Sequence, residues 1–376
     1  MSPPPLSALL IDYSGQTQIL LAVLRSLAQI KGIKLHLLVD QRWHPVRLSR
    51  HVSSFTASRP KAPDAERLDQ VERLVRRKGI DVLIPSGQDA VSFLGRNSAA
   101  LKRICSVSPV PDPEAYETAT DKWLLMHALM EGKFSCPRTL PLEDPAVTER
   151  KVRQLLFPVL LKPVHGAGGK GILRFDSPEA LTLALEGRRG TPDRYLLQEF
   201  VGGYDIDCSV LCRDGAVLAH TVQRGVLPGT QKYAAPAGIR LIKEEKVLET
   251  VLPLLNLLRW SGVAHIDLRY DPRDRSYKIL ELNARYWRSL LGSVYAGVNF
   301  PYLACLAGLG IDFAPPEYRE TLFLHEHRVA AKRLLQQVSP RLSPRFHFRE
   351  TSLSRALTDP LPDLYLLAHR EKPGRG

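Results

Sequence analysis

Apolar runs in this chain, such as Ser7–Ile11 and Ile33–Val39, are of strand length. They fall well short of the roughly 20 residues that a membrane-spanning helix needs. Met1-Ser-Pro-Pro-Pro-Leu6 has no basic region ahead of an apolar stretch, unlike a secretory signal, so a cytoplasmic location and no membrane partner are expected. Cysteine is sparse: five, odd in number and scattered, with Cys208 and Cys212 the only close pair. A disulfide framework or a paired-cysteine metal site is therefore not expected, and two small side chains on one strand face are. No helix-turn-helix, zinc-finger or RNP pattern stands out, and the basic residues are not gathered with aromatics into one stripe. The formal charge of +13 points to an anionic partner and leaves its kind open among nucleic acid, nucleotide phosphates and carboxylates, with nucleic acid the least expected for want of those patterns. No internal repeat is found.

What is present is ordinary for a globular protein, with 44% hydrophobic and 24% charged residues in 376, enough for two or three domains. Leu6–Asp12, Ile33–Asp40 and Ile80–Pro85 read as buried strands. Gln18–Gln29 and Asp64–Lys78 have helical spacing between them. That β-α-β-α-β order predicts an open parallel sheet. The loop after its first strand, Asp12-Tyr-Ser-Gly-Gln-Thr17, has one glycine where a dinucleotide fingerprint has three. Pro109-Val-Pro-Asp-Pro113 marks a domain boundary, and Thr118–Met130 and Lys243–Trp260 read as helices. The stretch beyond about Pro315 is punctuated by proline and reads as a loosely structured cap or tail.

Three constellations carry chemistry. Phe157-Pro-Val-Leu-Leu-Lys-Pro-Val-His-Gly-Ala-Gly-Gly-Lys-Gly171 delivers Lys162 on an apolar strand. It then enters a loop of Gly166, Gly168, Gly169 and Gly171 around Lys170. Glycines let backbone N–H groups approach phosphate oxygens, and a lysine adds a compact positive charge. This is not a P-loop, because a strand and not a helix follows. Gln198-Glu-Phe-Val201, a Gly-Gly bend and Asp205 offer a strand edge to an adenine and a carboxylate to ribose hydroxyls. Asp267 lies on one predicted strand, while Glu281 and Asn283 lie two apart on the next and share a face. Two carboxylates and an amide oxygen are the hard ligands that Mg²⁺ takes; pairing of Asp267 with Arg269 or Arg285 is the plainer reading. His265 is read as a packed histidine, and Tyr286 and Trp287 as core or pocket wall.

In order and spacing, these features from Asp121-Lys122 to Asn283-Ala-Arg285 resemble the ATP-grasp superfamily, which includes D-alanine–D-alanine ligase, biotin carboxylase and carbamoyl-phosphate synthetase. The resemblance implies an α/β and α+β protein. A Rossmann-like pre-ATP-grasp domain would span residues 1–112. An ATP-grasp domain would span 113–312, with two α+β subdomains clasping ATP and a lid at about 133–200. An extension at 313–376 would complete or cap it. It also implies roles. Lys122 and Lys162 would contact ATP, the latter at the α/β-phosphates, and Gly166–Gly171 with Lys170 would form the lid over the γ-phosphate. Glu199, Phe200 and Val201 would form the adenine hinge, with Asp205 on the ribose. Asp267, Glu281 and Asn283 would hold Mg²⁺ (or Mn²⁺), and Arg285 would approach the transferred phosphoryl group.

The sequence departs from the family pattern at Asp205 and Asp267, where Glu is commoner. It also reads Asn-Ala-Arg-Tyr-Trp-Arg-Ser289 where related ligases have Asn-Pro-Arg-Phe-Trp-Gly-Ser. Arg288 thus puts an extra cation beside the expected reaction centre, either to bind a carboxylate or to pair with a nearby acid. Arg224 and Lys232, with Gln223 and Arg240, look suited to anionic substrates. The implied activity is ATP-dependent carboxylate–amine ligation through an acyl phosphate, with amino acids or peptides as partners and a homodimer as the candidate assembly. The alternatives are a carboxylase or carbamoyl-phosphate type of ATP-grasp enzyme, or an ATP-binding regulatory module without turnover.

Overall fold

The computed structural model describes residues 6–142, 152, 154–164, 168–186, 195–229, 233, 235–336 and 346–369. Strands β1 (Ser7–Asp12), β2 (Lys34–Val39), β3 (Val52–Ala57), β4 (Val82–Pro85) and β5 (Ser106–Val107) form a parallel sheet in the order β3-β2-β1-β4-β5. Every residue of β1 is buried, as a strand covered by helices on both faces must be. Leu10 packs with Leu20 and Leu24 of the helix Thr17–Leu27, and Leu9 and Ile11 pack with Val71 and Leu74 of the helix Asp64–Lys78 on the other side. The latter helix has Asp64 and Glu66 in its first turn and Arg76, Arg77 and Lys78 in its last, matching the helix dipole, and it ends on left-handed Gly79. The alternation read from the sequence omits β3, which inserts between β2 and that helix. Its Val-Ser-Ser-Phe-Thr-Ala sequence is only half-buried because it is the sheet's edge.

The predicted helix over Thr118–Met130 is two helices, Pro113–Thr120 and Lys122–Glu131. Asp121 is extended (φ −85°, ψ 117°), and its side chain accepts from the N–H groups of Trp123 and Leu124 at 2.8 and 3.0 Å. This N-cap outcompetes continuation of the first helix and sets Lys122 at the start of the second. Next comes an antiparallel sheet of β6 (Thr139–Leu142), β7 (Val159–Pro163), β8 (Leu173–Phe175) and β9 (Tyr195–Glu199), in the order β6-β9-β7-β8. Val159, Leu161 and Leu197 bury one face against Leu181, leaving Lys162 and Gln198 on the other.

The largest sheet contains β10 (Asp205–Arg213), β11 (Ala216–Leu227), β12 (Gly238–Ile242), β13 (Gly262–Asp271), β14 (Ser276–Asn283) and β15 (Thr321–Leu324), ordered β14-β13-β10-β11-β12-β15. One face is apolar: Ile206, Cys208, Val210, Ala264, Ile266 and Leu268 pack on Val251 and Leu254 of the helix Glu245–Leu257. Cys208 and Cys212 are buried there as free thiols. Ile279 also faces this core, so strict alternation would send Glu281 there too. Instead Asp267 pairs with Glu281 while Leu268 pairs with Ile279, leaving Leu280 as an extra residue. This β-bulge inverts the alternation and turns Glu281 and Asn283 to the opposite face.

The segment beyond Pro315 is not a loose tail in its described parts. β15 extends the large sheet, and the helix Leu361–Ala368 docks on the N-terminal domain. Arg25, 5% exposed, donates to the Asp359 carbonyl at 2.7 Å and pairs with Asp359 and Asp363. Asp359 also accepts from Ser49 Oγ and Arg50 N–H at 2.8 and 3.0 Å. A buried charge satisfied this fully anchors a segment that its prolines alone would not. Among the described residues no single helix is long and apolar enough to cross a membrane.

Candidate active site

Alternation along β10, β13 and β14 lines up Asp205, Asp207, Ser209, His265, Asp267, Arg269, Glu281 and Asn283 on the face opposite the core. Asp207 pairs in register with Asp267, and Asp267 with Glu281, so three carboxylates sit side by side. Burial, then the neighbouring Asp207 and Glu281, push the Asp267 carboxyl well above its usual range, with Arg285 opposing. Burial likewise pushes Asp207 up to about 7, against the hydrogen bond from Gln223. Carboxylates this crowded favour a cation. Asn283 donates from Nδ2 to Asp267 Oδ2 at 3.3 Å and accepts at Oδ1 from Arg285 Nη2 at 3.1 Å. A half-turn of its amide would aim the oxygen at the carboxylates. Burial lowers the pKa of Arg285, with Asp267 and Glu281 holding it up. The donor set fits Mg²⁺: hard oxygens, a net negative charge and no sulfur.

The β6-β9-β7-β8 sheet brings Lys162 to this face. Lys162 hydrogen-bonds Gln198 Oε1, and Gln198 in turn donates to Thr139 Oγ1 at 2.9 Å. Burial pulls the Lys162 ammonium down to about 8, with Glu281 opposing and Lys122 assisting. Lys122 Nζ lies 3.8 Å from Glu281 Oε1 and donates to the Val164 carbonyl at 3.5 Å, touching both sheets. The two lysines and the carboxylates therefore meet at one junction. Gly168, Gly169 and Gly171 all have φ between 70° and 76°, and a Cβ on Gly169 would come within 2.7 Å of the Tyr233 carbonyl. Both the backbone and the close approach require glycine there. Lys170 is exposed; Gly166 and Lys232 lie outside the described residues.

The hinge Glu199-Phe200-Val201 links β9 to β10. Glu199 turns its carboxylate inward to accept from Leu156 N–H at 2.9 Å, Phe200 N–H donates to the Pro158 carbonyl at 2.9 Å, and Val201 is buried. Asp205 pairs with Arg269 at 2.6 Å, so Arg269 serves Asp205 and not Asp267. Two substrate assignments need correction. Arg224 stands opposite Ile206 in register, which puts it on the core face, with its guanidinium 3.8 Å from the centre of the Tyr204 ring. Its neighbour Gln223 faces the site instead, but is 3% exposed and already bridges Asp207 and Ser289. Arg288 pairs with Glu326 at 3.2 Å, the second of its two expected alternatives. His265 and Asp207 were not singled out as site residues. The signal was the alternation of Asp205 and Asp207 with Ile206 and Cys208, and of His265 and Asp267 with Ile266.

Residues 119–289 match the family model described as an ATP-grasp domain. The chain carries an ATP-grasp domain. The chain is 24% identical over 238 residues to D-aspartate ligase of Enterococcus faecium, covering 58% of this chain and 56% of that one. It is 24% identical over 271 residues to the carbamoyl phosphate synthase large chain of Neisseria meningitidis, covering 67% of this chain and 25% of that one. The chain thus spans about half of the first relative and a quarter of the second. In fold it is similar to N5-carboxyaminoimidazole synthetase from Staphylococcus aureus in complex with ADP, with a TM-score of 0.67 and 12% identity over 88% of this chain and 86% of that one. It is also similar to L-amino acid ligase from Bacillus licheniformis, with a TM-score of 0.59 and 17% identity over 83% and 75%. The match spans the end of the helix Pro113–Thr120, the whole helix Lys122–Glu131, the four-stranded sheet and β10 to β14.

Proposed function

We propose that this protein is an ATP-dependent carboxylate–amine ligase that joins an acid to an amine with release of ADP and phosphate. The observation that carries this reading is the junction itself. Asp267, Glu281, Asn283 and Arg285 meet Lys122 and Lys162 between two sheets, in a chain related to D-aspartate and D-alanine–D-alanine ligases. Lys122 and Lys162 bind the nucleotide phosphates, and the amides of the glycine loop cover the terminal one. Asp267, Glu281 and Asn283 hold Mg²⁺, which when bound offsets phosphate charge. Arg285 faces the substrate carboxylate as it attacks the γ-phosphate, stabilising the charge that develops there. The resulting acyl phosphate is attacked by the amine, which expels phosphate. Lid closure excludes the water that would otherwise hydrolyse that intermediate. The main chain of Glu199 to Val201 lies along the adenine, and Asp205 accepts from the ribose once Arg269 yields.

The test is phosphate and ADP release from Mg-ATP, screened over pairs of amino acids and small acids, with bicarbonate as a separate arm. Release that needs both an acid and an amine is expected. Release with bicarbonate and ammonia alone would make this a carboxyphosphate enzyme, and binding of ATP without any release would make it a regulatory module.

A further inference from the structure

Deeper on the polar face, beside the junction, three groups able to ligate a metal converge. His265 Nε2 lies 3.8 Å from Asp207 Oδ2 and 3.5 Å from Asp267 Oδ1. The three ligand atoms lie within 4.8 Å of one another. These separations are too long for hydrogen bonds. They lie a few tenths of an ångström above the roughly 3.0 to 3.4 Å that ligands about 2.1 Å from one ion keep at angles from 90° to tetrahedral, so small side-chain shifts would close them on an ion.

Each group is also held from behind. Gln223 Nε2 donates to Asp207 at 2.8 Å and is itself fixed by Ser289 at 2.8 Å. The other ring nitrogen of His265 is 2.9 Å from Ser209 Oγ, and the ring stacks on Trp287 with centroids 5.3 Å apart. Asn283 holds the far oxygen of Asp267 at 3.3 Å. An imidazole anchored through one nitrogen while the other faces two carboxylates is how proteins orient a metal-ligating histidine.

We propose that Asp207, His265 and Asp267 form a second divalent-cation site, adjoining the Asp267, Glu281 and Asn283 set through Asp267, that prefers a first-row transition ion to Mg²⁺. The preference follows from the imidazole, since Mg²⁺ takes oxygen and retains its waters whereas Mn²⁺ and its heavier neighbours accept mixed nitrogen and oxygen sets. The site shares Asp267 with the ligase reading, but it needs no nucleotide.

The experiment titrates metal-free full-length protein with Mn²⁺ in the absence of nucleotide and follows the loss of the free-ion electron paramagnetic resonance signal. One ion per chain is expected, and about a hundredfold excess of Mg²⁺ should leave most of it bound. His265→Ala and Ser209→Ala should each weaken binding about tenfold or more, and Glu281→Gln should weaken it less than His265→Ala does. Ser209→Ala removes one hydroxyl and serves if His265→Ala does not fold. The proposal is overturned by the absence of a bound ion, by ready displacement with Mg²⁺, or by loss with Glu281→Gln and not with His265→Ala. Mg-ATP affinity of the same wild-type sample separates the two readings. ATP binding without Mn²⁺ binding rejects this site alone, and Mn²⁺ binding without ATP binding rejects the nucleotide site alone.

Discussion

The two faces of the β10–β13–β14 ribbon are built from the same three strands and differ only by one residue of phase. One side presents Ile206, Cys208, Ala264, Ile266 and Leu268 to a helix; the other presents Asp205, Asp207, His265, Asp267, Glu281 and Asn283 to the lid. The apolar face makes the sheet rigid, and that rigidity allows the polar face to hold three carboxylates side by side at a cost in stability. Charge that repels in the resting protein is what a cation and a triphosphate can use.

Exchanging the characters of the faces should have the largest effect. Ile266→Asp puts an unpaired carboxylate into the apolar core and should cost about 4 kcal/mol or more; urea unfolding followed by circular dichroism should show no cooperative transition near neutral pH. Asp267→Asn leaves that core intact and removes a metal-binding charge. ATP-dependent phosphate release should fall about a thousandfold, or about 4 kcal/mol, while the melting temperature holds or rises. Deleting Leu280 removes the extra residue and sets Glu281 directly after Ile279, so strict alternation keeps Glu281 opposite Asp267 on the polar face. Phosphate release should therefore stay within about tenfold of wild type with secondary structure retained.

A smaller effect is expected from pH. The Asp207 carboxyl is held up near 7, against an ordinary 3.8. Between those values the folded chain keeps a proton that the unfolded chain has released, so metal-free stability should fall as pH rises through this window and level off above it. Asp207→Asn should flatten that slope and add about 1–3 kcal/mol at pH 8, measured by urea unfolding in chelator. The smallest effect belongs to Arg224→Ala. Because Arg224 lies over Tyr204 on the other face, kcat and KM should stay within about twofold of wild type, where the anionic-substrate reading required a sharp rise in KM.

Period and residue type made much of this legible in the sequence. Buried runs announced β1, β2 and β4, and the glycine-rich stretch after Lys162 announced a second strand, not a helix, beyond it. What escaped depended on tertiary context. β3 is an edge strand of small polar residues without an apolar signature. The break at Asp121 follows from a cap whose partners are backbone amides. The placement of Arg224 depends on register, since a shift by one position exchanges Arg224 for Gln223. The importance of Asp207 and His265 appears only when two strands, 58 residues apart in sequence at those positions, pair and bring them together. The C-terminal prolines suggested looseness, and Arg25 supplies the anchor that they do not.

The most direct test is calorimetric titration with ATP, in Mg²⁺ and in chelator, of the wild type, Lys162→Ala and Asp267→Asn. One ATP per chain is expected to bind in Mg²⁺, with affinity at least tenfold lower in chelator or in either variant. Equal affinity in all four conditions would contradict the assignment of the polar face and lid lysines to a metal–triphosphate site.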